Sequence, residues 1–230
     1  MSRLRPSVNP QAVPVLRVDH DWPAVDPVAL QPDALRRRFL SPPPWKPELT
    51  GEPRFMDRAP MNAAVLIPIV TRTEPTVLLT QRAAHLATHS GQIAFPGGKC
   101  DPTDHDAAAT ALREAREEVG LDPSRVEVLG ALPTYVTGSV FHVTPVVALI
   151  PPDVGLRANP HEVADVFEVP LAFLMTPAHH RHHCVNWDGV DRHWLSMPYP
   201  AAPSPATPQV RFIWGATAAM LRNLYAFLRA

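Results

Sequence analysis

Apolar positions along this chain switch between two rhythms. The runs AAVLIPIV (63–70) and TVLLTQR (76–82) are near-continuous apolar stretches parted by a polar turn, and RVEVLGAL (125–132) and HVTPVVALI (142–150) repeat that character. Short runs rich in Val, Ile, Leu and Thr between turn residues predict four strands. Between the two pairs the rhythm lengthens. In GGKCDPTDHDAAATALREAREEVGL (97–121) Ala108, Leu112, Ala115 and Val119 recur at three and four, which predicts a helix with that stripe toward the core and Gly120 as its C-cap.

Two later stretches read as helical. HEVADVFEVPLAFLM (161–175) is predicted to contain a helix. IWGATAAMLRNLYAFLR (213–229) carries Ile213, Ala216, Met220, Leu224 and Phe227 on one face, the stripe of a packed terminal helix that also takes Trp214 into the core. Strands alternating with helices predict an α/β domain, a sheet covered by helices.

Twenty-nine prolines interrupt this order. They cluster in RFLSPPPWKPELTGEP before residue 61 and in MPYPAAPSPATPQ (197–209), where a fixed φ and missing amide donors disfavour regular structure. The expected organisation is a Pro-rich extension over 1–60, with a short helix starting at Pro32, followed by one domain over 61–230. HHRHHC (179–184) lacks the spacing of a zinc finger and is expected in a surface loop, with His85 and His89 structural.

Charge and composition narrow the function by exclusion. A formal net charge of −1 gives no field for nucleic acid or an anionic membrane, so any anion must be met by a local site. No run approaches the roughly 18 apolar residues of a membrane span. The start MSRLRPSVNPQAV has no apolar core with a cleavage pattern, so the expected location is cytoplasmic. Cys100 and Cys184 form no CxxC pair and are expected as free thiols.

The helix at 107–120 carries an oddity with chemical content. Glu114, Glu117 and Glu118 crowd toward its C-terminal end, where carboxylates oppose the dipole and repel one another at spacings of three and four. A solvated face salt-bridged by Arg113 and Arg116 is the plain explanation. Gly97 and Gly98 change it, because a Gly-Gly turn lets backbone approach a ligand too closely for a side chain. Hard oxygen donors with no His or Cys among them favour Mg²⁺ or Mn²⁺, which also take phosphate oxygens.

These residues resemble the Nudix box, a glycine followed after a loop by Arg-Glu-x-x-Glu-Glu-x-Gly and an apolar residue: Gly98, Arg113, Glu114, Glu117, Glu118, Gly120 and Leu121. The glycine-to-arginine spacing is one residue longer than usual, and the acidic loop residue is Asp104 rather than glutamate. Both departures resemble the coenzyme A pyrophosphatase subfamily. So does LLTQRAAHLATHSGQIAFPGG (78–98), which matches that subfamily's upstream signature at Leu78, Leu79, Thr80, Arg82, Ala83, Gly91, Phe95, Pro96, Gly97 and Gly98 and misses it at Ala87, where an arginine is expected.

The resemblance covers about residues 60–228. It implies the Nudix α/β/α sandwich with a mixed sheet and a C-terminal helix. It also implies hydrolysis of a diphosphate inside coenzyme A or a related small molecule, with no nucleic-acid partner and with a homodimer left open. By that similarity Mg²⁺ or Mn²⁺ is held mainly by Glu114 and Glu118 with Glu117 assisting, bridges the diphosphate oxygens and positions a water for attack on phosphorus. Arg113 orients a glutamate, and Glu162 is a general base or further ligand with Glu168 as its rival. Arg82, Gly97 and Gly98 face the substrate. Two other readings keep the same residues: hydrolysis of ADP-ribose or a dinucleotide, motivated by Ala87, and a catalytically silent ligand-binding module, which retention of all three box glutamates disfavours.

Overall fold

The computed structural model describes residues 8–86, 89–187, 189–200 and 210–230. In chain order the elements are β1 (Arg17–Val18), α1 (Pro32–Leu40), β2 (Met61–Val70), β3 (Thr76–Arg82), β4 (Ile93–Ala94), β5 (Gly97–Lys99) and α2 (Ala107–Val119). They continue with β6 (Glu127–Ala131), β7 (Tyr135–Val136), β8 (Phe141–Ile150), β9 (Val163–Pro170), α3 (Leu171–Leu174), β10 (Arg181–Trp187), β11 (Val190–Pro200), β12 (Val210–Trp214) and α4 (Gly215–Arg229).

The larger sheet is mixed. Its path runs β4-β3-β2-β8-β6, with β5 added to β2, β7 to β8 and β9 to β3. Strands β2 and β8 are parallel from Met61 opposite Phe141 to Val70 opposite Ile150, and the other pairings are antiparallel. Alternate residues of the central strands feed two separate cores, because successive side chains leave opposite faces of a sheet. Ala64, Leu66, Leu78, Val146 and Ala148 pack with Ala111, Ala115 and Val119 of α2. On the other face Ile67, Ile69, Val77, Leu79, Val147 and Leu149 join Leu35 of α1 and Leu221, Leu224 and Phe227 of α4. Helices on both faces of a mixed sheet, closed by a C-terminal helix, make the α/β/α sandwich.

Helix α2 is fixed at both ends by its own sequence. The Asp106 carboxylate accepts the Ala109 N–H at 2.7 Å, which satisfies one of the free donors of the first turn. Gly120 terminates the helix at φ 68°, a conformation that costs glycine little. Its core face is turned slightly from the expected stripe: Ala111, Ala115, Glu118 and Val119 are buried, whereas Ala108 and Leu112 are half-buried.

The helix expected within 161–175 is α3, confined to its end; Val163–Pro170 before it form strand β9, paired antiparallel with β3, and Pro170 resists a continuous helix. Three expectations are corrected. HHRHHC is not a loop, since β10 is hydrogen-bonded between β1 and β11 and His180 and His183 are buried. Ile213 and Trp214 close strand β12, and α4 begins at Gly215 with φ 62°. In MPYPAAPSPATPQ the first four residues extend β11 opposite β12, and residues 201–209 lie outside the described residues, as does Ala87.

Strands β1, β10, β11 and β12 form a second, four-stranded antiparallel sheet. The N-terminal segment is bound to it and to α4 through a buried ion network. Arg222, whose side chain is 1% exposed, lies 3.0 Å from Asp19 and 2.6 Å from Glu48, and the Tyr225 hydroxyl donates to the Pro23 carbonyl at 2.8 Å. Among the described residues no helix is long and apolar enough to cross a membrane.

Candidate active site

The expected acidic residues sit where α2, β5 and the end of β3 meet. Short side chains at Ala111 and Ala115 let the helix lie close to β2 and β5, which brings the Gly97-Gly98 backbone against the glutamates. The glycine pair is not a free turn but the start of β5, paired with Ala64 and Val65. A Cβ on Gly98 would stand 2.5 Å from both carboxylate oxygens of Glu114, and one on Gly97 would stand 2.5 Å from the Ala64 carbonyl oxygen. Glycine at 98 is thus required by a carboxylate, and glycine at 97 by backbone.

Glu118 is the most enclosed of the acids, with its side chain 5% exposed. Its carboxylate accepts the Gly97 N–H at 3.3 Å and faces the Arg82 guanidinium at 3.7 Å. Burial is the dominant influence on its titration and pushes the carboxyl up to about 7; Arg82 and the Gly97 N–H oppose this, and Glu114 and Glu162 add to it by repulsion. Glu114 is also raised, first by burial and then by Glu117 and Glu162, with Arg113 opposing.

Arg113 organises the exposed side of the cluster. Its guanidinium donates to Asp104 at 3.0 and 3.1 Å, to Glu114 at 2.9 Å, to Glu117 at 3.2 Å and to the Lys99 carbonyl at 3.0 Å. A planar fork of five donors can serve four acceptors at once, which a lysine cannot. Asp104, which also caps the loop by accepting the Asp101 N–H, is held well below the usual carboxylate range, first by Arg113.

Glu162 arrives on the turn that leads into β9. The turn carrying it is tied to α2, where the Asn159 N–H donates to the Glu118 carbonyl at 2.8 Å, and to β3, where the Ala83 N–H donates to the Glu162 carbonyl at 2.9 Å. His85 braces the same turn through the His161 carbonyl at 3.0 Å. Glu162 therefore does not occupy a helix's first turn, and its proximity to the box acids is a tertiary arrangement. Glu168, the rival, pairs with Arg72 and Thr76 at the far end of β9, about 16 Å along the strand, and takes no part.

Four carboxylates and two arginines with a glycine-lined approach are suited to a polyanion and a hard cation. The donor set is all oxygen, two of its members are destabilised as anions by burial and mutual repulsion, and Arg82 Nε is buried without a hydrogen-bond partner. These are the features a divalent ion and phosphate oxygens would satisfy. In this structure Arg113 gathers Glu114 and Glu117 while Arg82 faces Glu118, so the box carboxylates do not converge to within 4.8 Å as a set of three.

A family model described as NUDIX domain matches residues 60–204. The chain belongs to the Nudix family. Among curated Nudix relatives, "Uncharacterized Nudix hydrolase NudL" of Escherichia coli (strain K12) is 48% identical over 164 residues, 71% of this chain and 80% of that protein. The protein of the same name from Shigella flexneri is 46% identical over 173 residues, 74% of this chain and 85% of that one. Among solved structures, a Nudix hydrolase from M. Smegmatis, RenU, aligns with TM-score 0.43 and 22% identity over 50% of this chain and 73% of its own.

Within this Nudix domain the sequence located Arg82, Gly97, Gly98, Arg113, Glu114, Glu117, Glu118 and Glu162, and the structure brings all eight to one region. Two positions were undervalued. Asp104 registered only as a departure from a motif, although it is the firmest partner of Arg113; the usable signal was an acid ahead of an arginine across a turn. Asn159 carried no signal, because it acts through its backbone.

Proposed function

We propose that this chain is a metal-dependent hydrolase that cleaves the diphosphate of coenzyme A or its derivatives with one water, giving adenosine 3′,5′-bisphosphate (3′-phospho-AMP) and 4′-phosphopantetheine. The observation that carries the chemistry is the Glu118 carboxylate, buried beneath the Gly97 amide, beside Arg82 and between Glu114 and Glu162. Support for coenzyme A comes from the run LLTQRAAHLATHSGQIAFPGG, whose Arg82 and Gly97-Gly98 line that site.

Glu114 and Glu118, with Glu117 beside them, would hold Mg²⁺ or Mn²⁺, which neutralises charge on diphosphate oxygens and lowers the pKa of the water it binds. Arg113 holds Glu114 and Glu117 in position by charge-assisted hydrogen bonds. Arg82 presents its free Nε and its Nη atoms to a phosphate oxygen. Glu162 accepts the proton of the attacking water, a role suited to a carboxylate close enough to Glu114 and Glu118 to repel both.

A second reading keeps this machinery and changes the substrate to another nucleoside diphosphate derivative such as ADP-ribose or a dinucleotide. Alanine at position 87, where the subfamily pattern has arginine, favours it. Initial rates on coenzyme A, ADP-ribose and diadenosine compounds at equal concentration separate the two. The first reading requires coenzyme A to be preferred and the products to be 3′-phospho-AMP and 4′-phosphopantetheine by mass spectrometry; preference for either of the others sinks it.

A further inference from the structure

Strands β10 and β11 carry a second cluster of ligating side chains, on the smaller sheet and apart from the Nudix box. In their antiparallel register Cys184 lies directly opposite His193, and Asn186 opposite Asp191. Side chains two apart on a strand share a face, so Cys184, His193, Asp191 and Asn186 project from one side of the hairpin. Arg192, between the two ligating residues of β11, leaves by the other face, where it lies over the Phe55 and Trp187 rings and donates to the Pro53 carbonyl.

Among the described residues Cys184, Asp191 and His193 are the only three His, Cys, Asp or Glu side chains that bring one ligand atom each within 4.8 Å of one another. Cys184 Sγ is 3.7 Å from His193 Nε2. A tetrahedral zinc ion with Zn–S of about 2.3 Å and Zn–N of about 2.0–2.1 Å requires an S···N edge of about 3.6 Å. The observed edge already has that length. Asp191 is oriented by a hydrogen bond from Asn186 Nδ2 at 2.7 Å, the kind of outer contact that fixes a ligating carboxylate. Cys184 is half-buried while Asp191 and His193 are exposed, so an ion has access from solvent.

We propose that Cys184, Asp191 and His193 form a binding site for a borderline-soft divalent ion of the Zn²⁺ class, with the fourth position open to water. The donor set of one thiolate, one imidazole and one carboxylate selects such an ion over Mg²⁺, which takes oxygen ligands. None of the histidines of HHRHHC belongs to it. His182 is bound to Asp19 and His183 to Ser196, leaving Cys184 as that motif's one contribution. An ion held there joins β10 to β11 and makes the stability of the smaller sheet depend on metal.

The test uses the full chain, stripped with a chelator and kept reduced, then titrated with Co²⁺ and followed by thiolate-to-cobalt charge-transfer absorption. The band is expected to saturate at a single equivalent and to be displaced by Zn²⁺. Cys184→Ser should abolish it, and Cys100→Ser should leave it intact. His193→Ala and the near-isosteric Asp191→Asn should each weaken Co²⁺ binding at least about tenfold. The last variant guards against a misfolded Cys184→Ser, and circular dichroism checks each fold. Absence of the band, or a band that survives Cys184→Ser and disappears in Cys100→Ser, overturns the assignment.

Discussion

Arg82 Nη1 stands 3.7 Å from Glu118 Oε1, so the end of strand β3 supplies a cation beside the most buried acid of the box. That single arginine does not offset burial, because the carboxyl still titrates near 7. Ionised Glu118 is therefore a destabilising feature of the metal-free fold above neutral pH. A carboxyl whose folded value lies above its ordinary 4.5 contributes fully below that value and loses its contribution as pH rises through about 7. Glu118→Gln should make the metal-free protein more stable at pH 8, by on the order of 1–3 kcal/mol, with the gain vanishing near pH 4. The same variant should lose at least about 100-fold in kcat and most of its thermal stabilisation by Mg²⁺. Denaturation at the two pH values alongside turnover checks both limbs, and near-normal turnover removes Glu118 from the site.

The adjacent glycines should fail in different ways. Gly98→Ala pushes on the mobile end of Glu114, so the fold survives while kcat drops by about 100-fold. Gly97→Ala pushes on the Ala64 and Val65 backbone and should cost about 2 kcal/mol or more of stability. Melting temperature and turnover measured on both proteins separate the outcomes.

Arg113→Lys retains the charge and loses the fork that binds Asp104, Glu114, Glu117 and Lys99 together. Its kcat should fall about 10- to 100-fold with KM little changed, since Arg113 positions the acids instead of touching substrate. A raised KM at normal kcat contradicts that role.

For coenzyme A as substrate, Ala87→Arg restores the cation expected from the subfamily pattern. KM should fall with little change in kcat, the signature of added uniform binding. Steady-state kinetics with an unchanged KM would remove position 87 from substrate recognition.

His180 provides the acid limb of the stability profile. Its Nε2–H donates to the Leu174 carbonyl at 2.8 Å and its Nδ1 accepts from Arg222 at 3.0 Å, so the pocket is built for the neutral ring. Burial, chiefly, pushes it down to about 4 from an ordinary 6.5. Its contribution is full above pH 6.5 and is lost as pH falls toward 4, up to about 3 kcal/mol. Chemical denaturation across that range should show the loss, and His180→Gln should flatten it.

Local pattern carried the central strands and α2, because their apolar periodicity agrees with the faces they bury and Asp106 and Gly120 mark the ends of the helix. Strands β9, β10 and β12 were hidden for a shared reason. None has an apolar rhythm long enough to declare itself alone: β9 is fixed by β3 far earlier in the chain, β10 is joined to distant β1 as well as to its hairpin partner β11, and β12 follows a Pro-rich stretch before it pairs back on β11. The box glutamates were legible as a motif. What the motif could not convey is that Glu118 is buried, that Gly98 is shaped by Glu114, and that Glu162 is held in reach by the backbone of Asn159 and Ala83.

The junction of Asp19 and Pro23 with Arg222 and Tyr225 has a kinetic side. Pro23 and Tyr225 are 202 residues apart, so at a synthesis rate of roughly 5–20 residues per second the early segment waits about 10–40 s for its partners to be made. During that interval Trp22 and Leu35 have no α4 to cover them, and the strands of the larger sheet can pair first. The nascent chain should thus gain its acidic helix before Pro23 and Tyr225 meet, and the exposure of the segment around Trp22 to chaperones and proteases should last until α4 has been made.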